Sequence, residues 1–312
     1  MIVVGGEALV DLVEDHGVLR AVPGGGPFNT AIALGRLGIP VAYLGTLSHD
    51  DYGSLLARLL AEAGVDMSLV RWSDAPTPLA VVHRRDNGEN TYTFYLTGTS
   101  LTDLPPDAIP ALPEDASAIH VGTLGLAVDP PAAAYEALLD RESQRRTIVL
   151  DPNVRPAVFG DQGAYRARFE RLARLAGVVK LSADDAAWIY PELEPADVLA
   201  RILGLGPRLV AITMGALGAV AGSSEGQARV AAVPVTVVDT VGAGDSFGAA
   251  LLAALVERGA LDPEAMQPLD DSLLEAALEY AVTAAAITCT RRGAVPPSRA
   301  EIDAWIGASQ EV

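Results

Sequence analysis

Lysine and cysteine are nearly absent from these 312 residues, and each scarcity removes a class of site. Cys289, the single cysteine, has no partner for an internal disulfide. The four histidines, His16, His49, His83 and His120, are scattered without zinc-ligand spacing. The single lysine, Lys180, lies in VVKLS and not in a glycine turn, so the Gly-Lys-Ser/Thr of a Walker phosphate loop is missing and a P-loop nucleotidase is excluded. No apolar run reaches the roughly 18–20 residues that cross a bilayer. The start, MIVVGGEALVDLV, has no basic n-region and no small-residue cleavage site; it reads as a first strand and sets the expectation of a cytoplasmic protein with no membrane partner. Cations are outnumbered, 22 against 40 acids, for a formal net charge of −18 at pH 7. Nucleic acid is therefore not an expected partner, because its binding draws on Lys and Arg at phosphates.

What is present is an alternation. Short β-branched runs, VAYLG (41–45), TIVLD (147–151), GVVKLS (177–182) and RLVAIT (208–213), are separated by Ala/Leu-rich helical stretches. This predicts an α/β fold with a mostly parallel sheet covered on both faces, its ligands beyond the carboxyl ends of the strands. One region breaks the rhythm: PLAVVHRRDNGENTYTFYL (78–96) reads as a hairpin about Asp86-Asn87-Gly88-Glu89. With LVEDHGVLRAV (12–22) it predicts a small antiparallel flap, spanning about 12–22 and 77–97, inserted in a single domain of residues 1–312. The Pro-rich LPPDAIPALPED (104–115) reads as a surface connection.

Two glycine-rich turns carry the chemistry. In VDTVGAGDSFGAALLAAL (238–255), Phe247, Ala250, Leu251, Ala254 and Leu255 recur at helical spacing, so a helix begins near Asp245. Gly242, Ala243 and Gly244 have little or no side chain, and their N–H groups can converge on an oxyanion. Asp245 then has two readings. It is an N-cap carboxylate, or it takes a proton from a substrate hydroxyl while the amides hold the charge of a transferring phosphoryl group. The other turn, PGGGPFNTAIALGRLGIPV (23–41), opens a helix with three glycines that admit a ligand closely and with Asn29 as donor and acceptor. It is a tight strand-to-helix connection or a polyol site, and it does not match the dinucleotide pattern GxGxxG. Asp11, leaving the first strand, suits vicinal hydroxyls or is simply solvated. Arg155, just past another strand, meets nucleotide phosphates, an acid group on the substrate, or only a surface salt bridge.

The pair PGGGPFNTAIALGRLG and DTVGAGDSFGAALL, with DPNVRP (151–156), KLSADDAAWI (180–189) and TMGALGAV (213–220) between them, resembles the signatures of the ribokinase-like (PfkB-type) sugar kinases over essentially the full chain. The resemblance implies a three-layer α/β/α sandwich with a mostly parallel central sheet and a small β-sheet lid that closes over the sugar. It implies ATP as phosphoryl donor, with Mg²⁺ and K⁺. By position, Asp245 matches the general base and Gly242, Ala243 and Gly244 the anion hole. Asp11, Gly24, Gly25 and Asn29 match sugar-hydroxyl contacts, and Thr213, Gly215 and Gly218 follow ATP. Asp239 and Val241, with a carbonyl near Gly293, match the holders of the monovalent cation. A homodimer through the lid is common in such proteins.

Two positions depart from that pattern. The Asn-x-x-Glu element that organises water around Mg²⁺ and the phosphates is Ser182-Ala183-Asp184-Asp185 here, one methylene shorter at Asp185. The adenine-side Asn falls at Val282, which implies looser recognition of the base. GEALVDLV and DPNVRP look more like fructokinases and 2-keto-3-deoxygluconate kinases than like ribokinases or adenosine kinases. Leu96 stands where related enzymes often carry Arg, which favours a neutral ketohexose, fructose first, with Tyr92, Phe94 or Tyr95 on the apolar side of the pocket. A 2-keto-3-deoxygluconate kinase is the alternative substrate reading. A non-catalytic sugar-binding regulator is the alternative of another class, and a nicotinamide-dependent oxidoreductase a weaker one.

Overall fold

The computed structural model describes residues 1–15, 18–84, 90–261 and 268–310. The chain opens with β1 (Ile2–Gly5), β2 (Leu9–Asp15), β3 (Val18–Gly24) and α1 (Gly26–Arg36). Next come β4 (Val41–Ser48), α2 (Asp51–Glu62), β5 (Val70–Ser73), β6 (Leu79–Arg84), β7 (Asn90–Tyr95), β8 (Ala118–Gly122), α3 (Pro131–Glu142) and β9 (Thr147–Asp151). After a single turn, α4 (Pro156–Phe159), follow α5 (Gln162–Ala173), β10 (Val178–Ser182), α6 (Ala183–Ile189), α7 (Pro195–Leu203), β11 (Leu209–Thr213), β12 (Ala219–Gly222) and β13 (Gln227–Val230). Three helices close the chain: α8 (Ala243–Glu257), α9 (Asp271–Cys289) and α10 (Arg299–Gln310).

Among the described residues, nine strands form the main sheet in the order β13-β12-β11-β10-β9-β8-β1-β4-β5. The pairs from β11 through β5 are parallel, while β11-β12 and β12-β13 pair antiparallel, so that β12 alone runs against the other strands. Its strands bury both faces. Ile2, Val4, Tyr43, Val149 and Val178 pack with α1, α8 and α9, while Val3, Leu44, Ile119, Leu150 and Val179 pack with α3, α5 and α7. That is why the runs read as continuously apolar instead of alternating. The chain leaves β1 toward β4 on one side and returns through β8 on the other, so the carboxyl ends of β1 and β8 flank the switch point where such sheets bind ligands. Helix α9 has a length of 19 residues and a mean hydropathy of 1.3, enough to cross a membrane, and packs against α8 with Leu274, Leu278, Ala281 and Ile287 buried.

A second sheet, β3-β2-β6-β7, stands beside the carboxyl ends. It differs from the expected antiparallel flap in that β2 and β6 pair in parallel. Both strands start from the main sheet, β2 after β1 and β6 after β5, and therefore run outward together. The sheet also begins earlier, at Leu9, and ends later, at Gly24, than the span 12–22. The turns at residues 16–17 and 85–89, including the expected Asp86-Asn87-Gly88-Glu89 hairpin turn, lie outside the described residues. Asp11 is not at the end of the first strand. Strand β1 stops at Gly5 because Gly6 takes φ +148, and Asp11 sits inside β2 opposite Val22. Segment 104–115 is more than a surface connection, since Leu104, Ile109 and Leu112 are buried in the α3 side of the core.

Candidate active site

Helix α8 begins at Ala243, with Gly242 as its N-cap in the left-handed region at φ +77. Asp245 is therefore the third residue of the helix, not its cap. Its Oδ2 accepts a hydrogen bond from Asn29 Nδ2 at 2.8 Å, across 216 residues of sequence. The N-cap reading fails on that geometry. Burial, partly offset by the Asn29 bond and the Lys180 charge, raises the Asp245 pKa to about 6. A carboxylate so tuned is still mostly ionised at neutral pH and binds a proton readily, which is what a base for an alcohol requires.

The α1 turn brings the partners in. Gly25 caps α1 at φ +110, where a Cβ would lie 2.5 Å from the Glu7 carbonyl oxygen. A Cβ on Gly26 would lie 2.8 Å from Thr123 Oγ1, 3.0 Å from Asn153 Nδ2 and 3.5 Å from Asp245 Oδ1. Backbone thus replaces side chain where three loops meet. Gly24 leaves room for Asp11, whose Oδ2 would be 2.4 Å from a Cβ there. Burial raises the Asp11 pKa to about 6, with Arg155 opposing and Asp245 reinforcing the rise.

These residues line a cavity of about 240 Å³ that includes Asp11, Gly25, Asn29, Arg155, Gly242 and Asp245. Tyr92 and Phe94, stacked 5.9 Å apart, form its apolar side, while Tyr95 alternates outward and is exposed. Leu96 is buried against Leu9, Ala80 and Leu124. Arg155 is not a surface salt bridge: its Nη1 donates to Asn153 Oδ1 at 2.8 Å and to the carbonyls of Asn153 and Val154, and it borders this cavity.

A second cavity of about 550 Å³ lies on the other side of the α8 N-terminus. Thr213, Gly215 and Gly218 line it together with Val282, Phe247 and Cys289. Both cavities touch Thr240 and Gly244, so the Gly242-Ala243-Gly244 turn is the partition between them. Asp239 stiffens that turn, its Oδ1 accepting from Val241 N at 3.1 Å and its Oδ2 from Gly293 N at 2.9 Å.

Ser182 and Asp185 border neither cavity. They form a capping box on α6, Asp185 Oδ2 accepting from Ser182 N and Oγ and Asp185 Oδ1 from Val154 N at 2.7 Å. The shorter Asp folds back on its own helix, and both oxygens are occupied. No group of three or more His, Cys, Asp or Glu side chains suited to a metal ion occurs among the described residues.

Several site residues escaped the sequence reading. Glu7 is buried, and its Oε1 and Oε2 accept from Gly26 N and Gly125 N at 3.2 and 3.1 Å, tying the α1 turn to the loop after β8. Burial raises its pKa to about 8 against those donors. Thr123 and Asn153 line the smaller cavity with φ of 53 and 37, left-handed values that store strain where two loops converge. Lys180, read only as a missing phosphate-loop lysine, is buried on the cavity wall. Of these, only Asn153 carried a local signal, lying just past the predicted strand 147–151, whereas Lys180 lay within the predicted strand 177–182.

A family model described as pfkB family carbohydrate kinase matches residues 2–301. The chain is 39% identical over 279 residues to a fructokinase of Rhizobium leguminosarum bv. trifolii, covering 88% of this chain and 85% of that one. It superposes with TM-score 0.84 and 27% identity on the fructokinase of Vibrio cholerae O395 in its fructose, ADP and calcium ion bound form, over 97% of each chain. The same score and identity, over 97% of this chain and 98% of the other, relate it to aminoimidazole riboside kinase from Salmonella enterica complexed with aminoimidazole riboside and an ATP analog.

Proposed function

Since the chain belongs to the pfkB family of carbohydrate kinases, we propose that it is an ATP-dependent fructokinase. The observation that carries this reading is the pair of cavities meeting at the α8 amides, with Asp245 on the floor of the smaller, polar one. Fructose occupies that cavity, its hydroxyls held by Asp11, Asn29 and the Gly24-Gly25 backbone. ATP lies in the larger cavity along Thr213, Gly215 and Gly218, its base against Val282. Asp245 takes the proton of a primary sugar hydroxyl as that oxygen attacks the γ-phosphorus in line, and the amides of Gly242, Ala243 and Gly244 hold the transferring charge. The second sheet acts as the lid, with Tyr92 and Phe94 excluding water.

Mg²⁺ in this reading would enter with the nucleotide. It supplies charge neutralisation. Asp239, Val241 and Gly293 would hold K⁺, whose charge would stiffen the amide turn. The reaction belongs in the cytoplasm, where ATP is available. Exposed Val18 and Leu19 on the edge strand of the second sheet support a homodimer through that sheet.

Arg155 on the sugar-side cavity favours one second reading, a kinase of an acidic sugar such as 2-keto-3-deoxygluconate. Asp11 and Asp245 on the same wall oppose an anion, which ranks fructose first. The test is ADP release with ATP, Mg²⁺ and K⁺ on fructose, 2-keto-3-deoxygluconate, ribose and aminoimidazole riboside. Highest kcat/KM on fructose is expected. Preference for the keto-acid transfers the reading to acidic sugars, and inactivity on every sugar with a sugar-dependent rise in Tm indicates a non-catalytic sugar-binding regulator.

A further inference from the structure

The chain's only lysine is buried. Every other cation among its 22 Lys and Arg is arginine, yet position 180, on β10, carries the compact ammonium. Its Nζ donates to Asp151 Oδ2, on neighbouring β9, at 2.9 Å, with both side chains almost wholly excluded from solvent. A Cβ on Gly244 would lie 3.3 Å from that Nζ, so the ammonium sits directly against the central amide turn. The compact ammonium, paired with Asp151 and close to Gly244, takes less room there than a planar guanidinium would. Lys180 and Gly244 also border the sugar-side cavity together.

Burying an ion pair is costly, and apolar residues of the same size often serve the fold as well. The pair is also incompletely satisfied: Asp151 Oδ1 is buried with no hydrogen-bond partner among the described residues. The neighbouring buried side chain, His120, is held neutral, burial and the Lys180 charge taking its pKa down to about 3. Lys180 is therefore the cation of this layer. For Lys180 itself burial opposes the charge, but Asp151 prevails and raises its pKa. It keeps its proton throughout the working pH range.

From this arrangement we propose that Lys180, fixed by Asp151 behind Gly244, is a positioning charge for phosphoryl transfer: it strengthens the α8 anion hole and favours the ionised form of Asp245. The inference rests on the kinase reading above and adds a residue to it. As the sugar oxygen bonds to the γ-phosphorus, the bond from that phosphorus to the β,γ-bridging oxygen breaks, and its electron pair leaves with ADP. The hydroxyl proton goes to Asp245. Lys180 transfers nothing; its field lowers the energy of the charge on the phosphoryl oxygens. The groups that set the Asp245 field are Asn29 of α1, Asp11 of β2, Asp151 of β9, Lys180 of β10 and Arg155 after β9.

The test compares purified wild type with Lys180→Met and with Lys180→Met/Asp151→Asn, which also removes the carboxylate that a single change strands. Both variants are expected to lose about 10²-fold or more in kcat, as when a fixed oxyanion donor is removed. Sugar and ATP KM should stay within about threefold. In Lys180→Met the acid limb of the pH–rate profile should move above the wild-type value, because the lost charge favoured the carboxylate. If the single variant does not fold, the double variant decides. A folded variant within threefold of wild-type kcat overturns the proposal, as does a kcat loss in Lys180→Met with an unmoved acid limb. Wild type without sugar-dependent turnover brings down the kinase reading and this inference with it.

A second readout needs no turnover. Enzyme labelled with [¹⁵N]lysine has one side-chain ammonium signal. That signal is expected to shift when ADP, sugar and aluminium fluoride, a mimic of the transferring phosphoryl group, are added together. A resonance unmoved by the mimic overturns the proposal.

Discussion

On the sugar side of Gly244 the wall carries Glu7, Asp11, Arg155, Lys180 and Asp245; on the other side it is mostly Val, Ala, Pro and Phe, with Thr213 and Thr240 as polar exceptions. With the sugar on the first side and the nucleotide base on the second, as proposed, the contrast follows from what each side must distinguish. A sugar is defined by hydroxyls, and a buried polar group left unpaired by the wrong ligand penalises it heavily. A flat base against apolar walls is gripped by area and rejected weakly. The same wall composition sets the pKa values, since carboxylates crowded out of water on one side rise while the other side has none to raise.

The largest effect is expected where the two sides meet. Asp245→Asn should keep the fold and the sugar KM while lowering kcat by at least ~10²-fold, measured by coupled ADP release. Unchanged turnover would remove Asp245 from the chemistry and leave it a partner of Asn29. In the wild type, kcat/KM should fall as pH drops through about 6, because the raised pKa makes the base bind its proton there.

Arg155 sharpens the division. Because it borders only the sugar-side cavity, Arg155→Ala should raise the sugar KM by ~10-fold or more while the ATP KM moves less than about threefold. The reverse pattern would mean that the arginine serves the phosphates and that the two cavities share more than their partition.

The smallest effect concerns stability. The Glu7 pKa lies at about 8 in the folded protein against 4.5 in the unfolded chain. The folded state therefore retains a proton that the unfolded state releases, a contribution present below about 4.5 and lost as pH rises through about 8. Glu7→Gln should lower Tm at pH 5, because its amide accepts from only one of the two N–H donors. At pH 8.5 that deficit should shrink by at least about 2 °C, followed by calorimetry. A pH-independent deficit would show that Glu7 stays ionised and that the sugar-side wall is wetter than its burial indicates.

Periodicity and local chemistry were enough for the alternating layers, the helix beginning at the Gly242-Ala243-Gly244 turn, and the second glycine turn at 23–26, because apolar spacing and glycine act within a few residues of themselves. The same local information could not exclude an N-cap role for Asp245, which its bond to Asn29, 216 residues away, and the cap at Gly242 do exclude. Nor could it tell that Asp185, one methylene short, would turn back onto Ser182 while Lys180, five residues earlier in the same motif, would lie beside Gly244. Those outcomes depend on which strand ends become neighbours. Strand order placed β9 and β10 side by side, and packing of α8 against α1 closed the site. Local residue order settles which segments become strands, helices and tight turns; which charges share a dry wall follows from the fold, because desolvation and pairing are properties of neighbours in space.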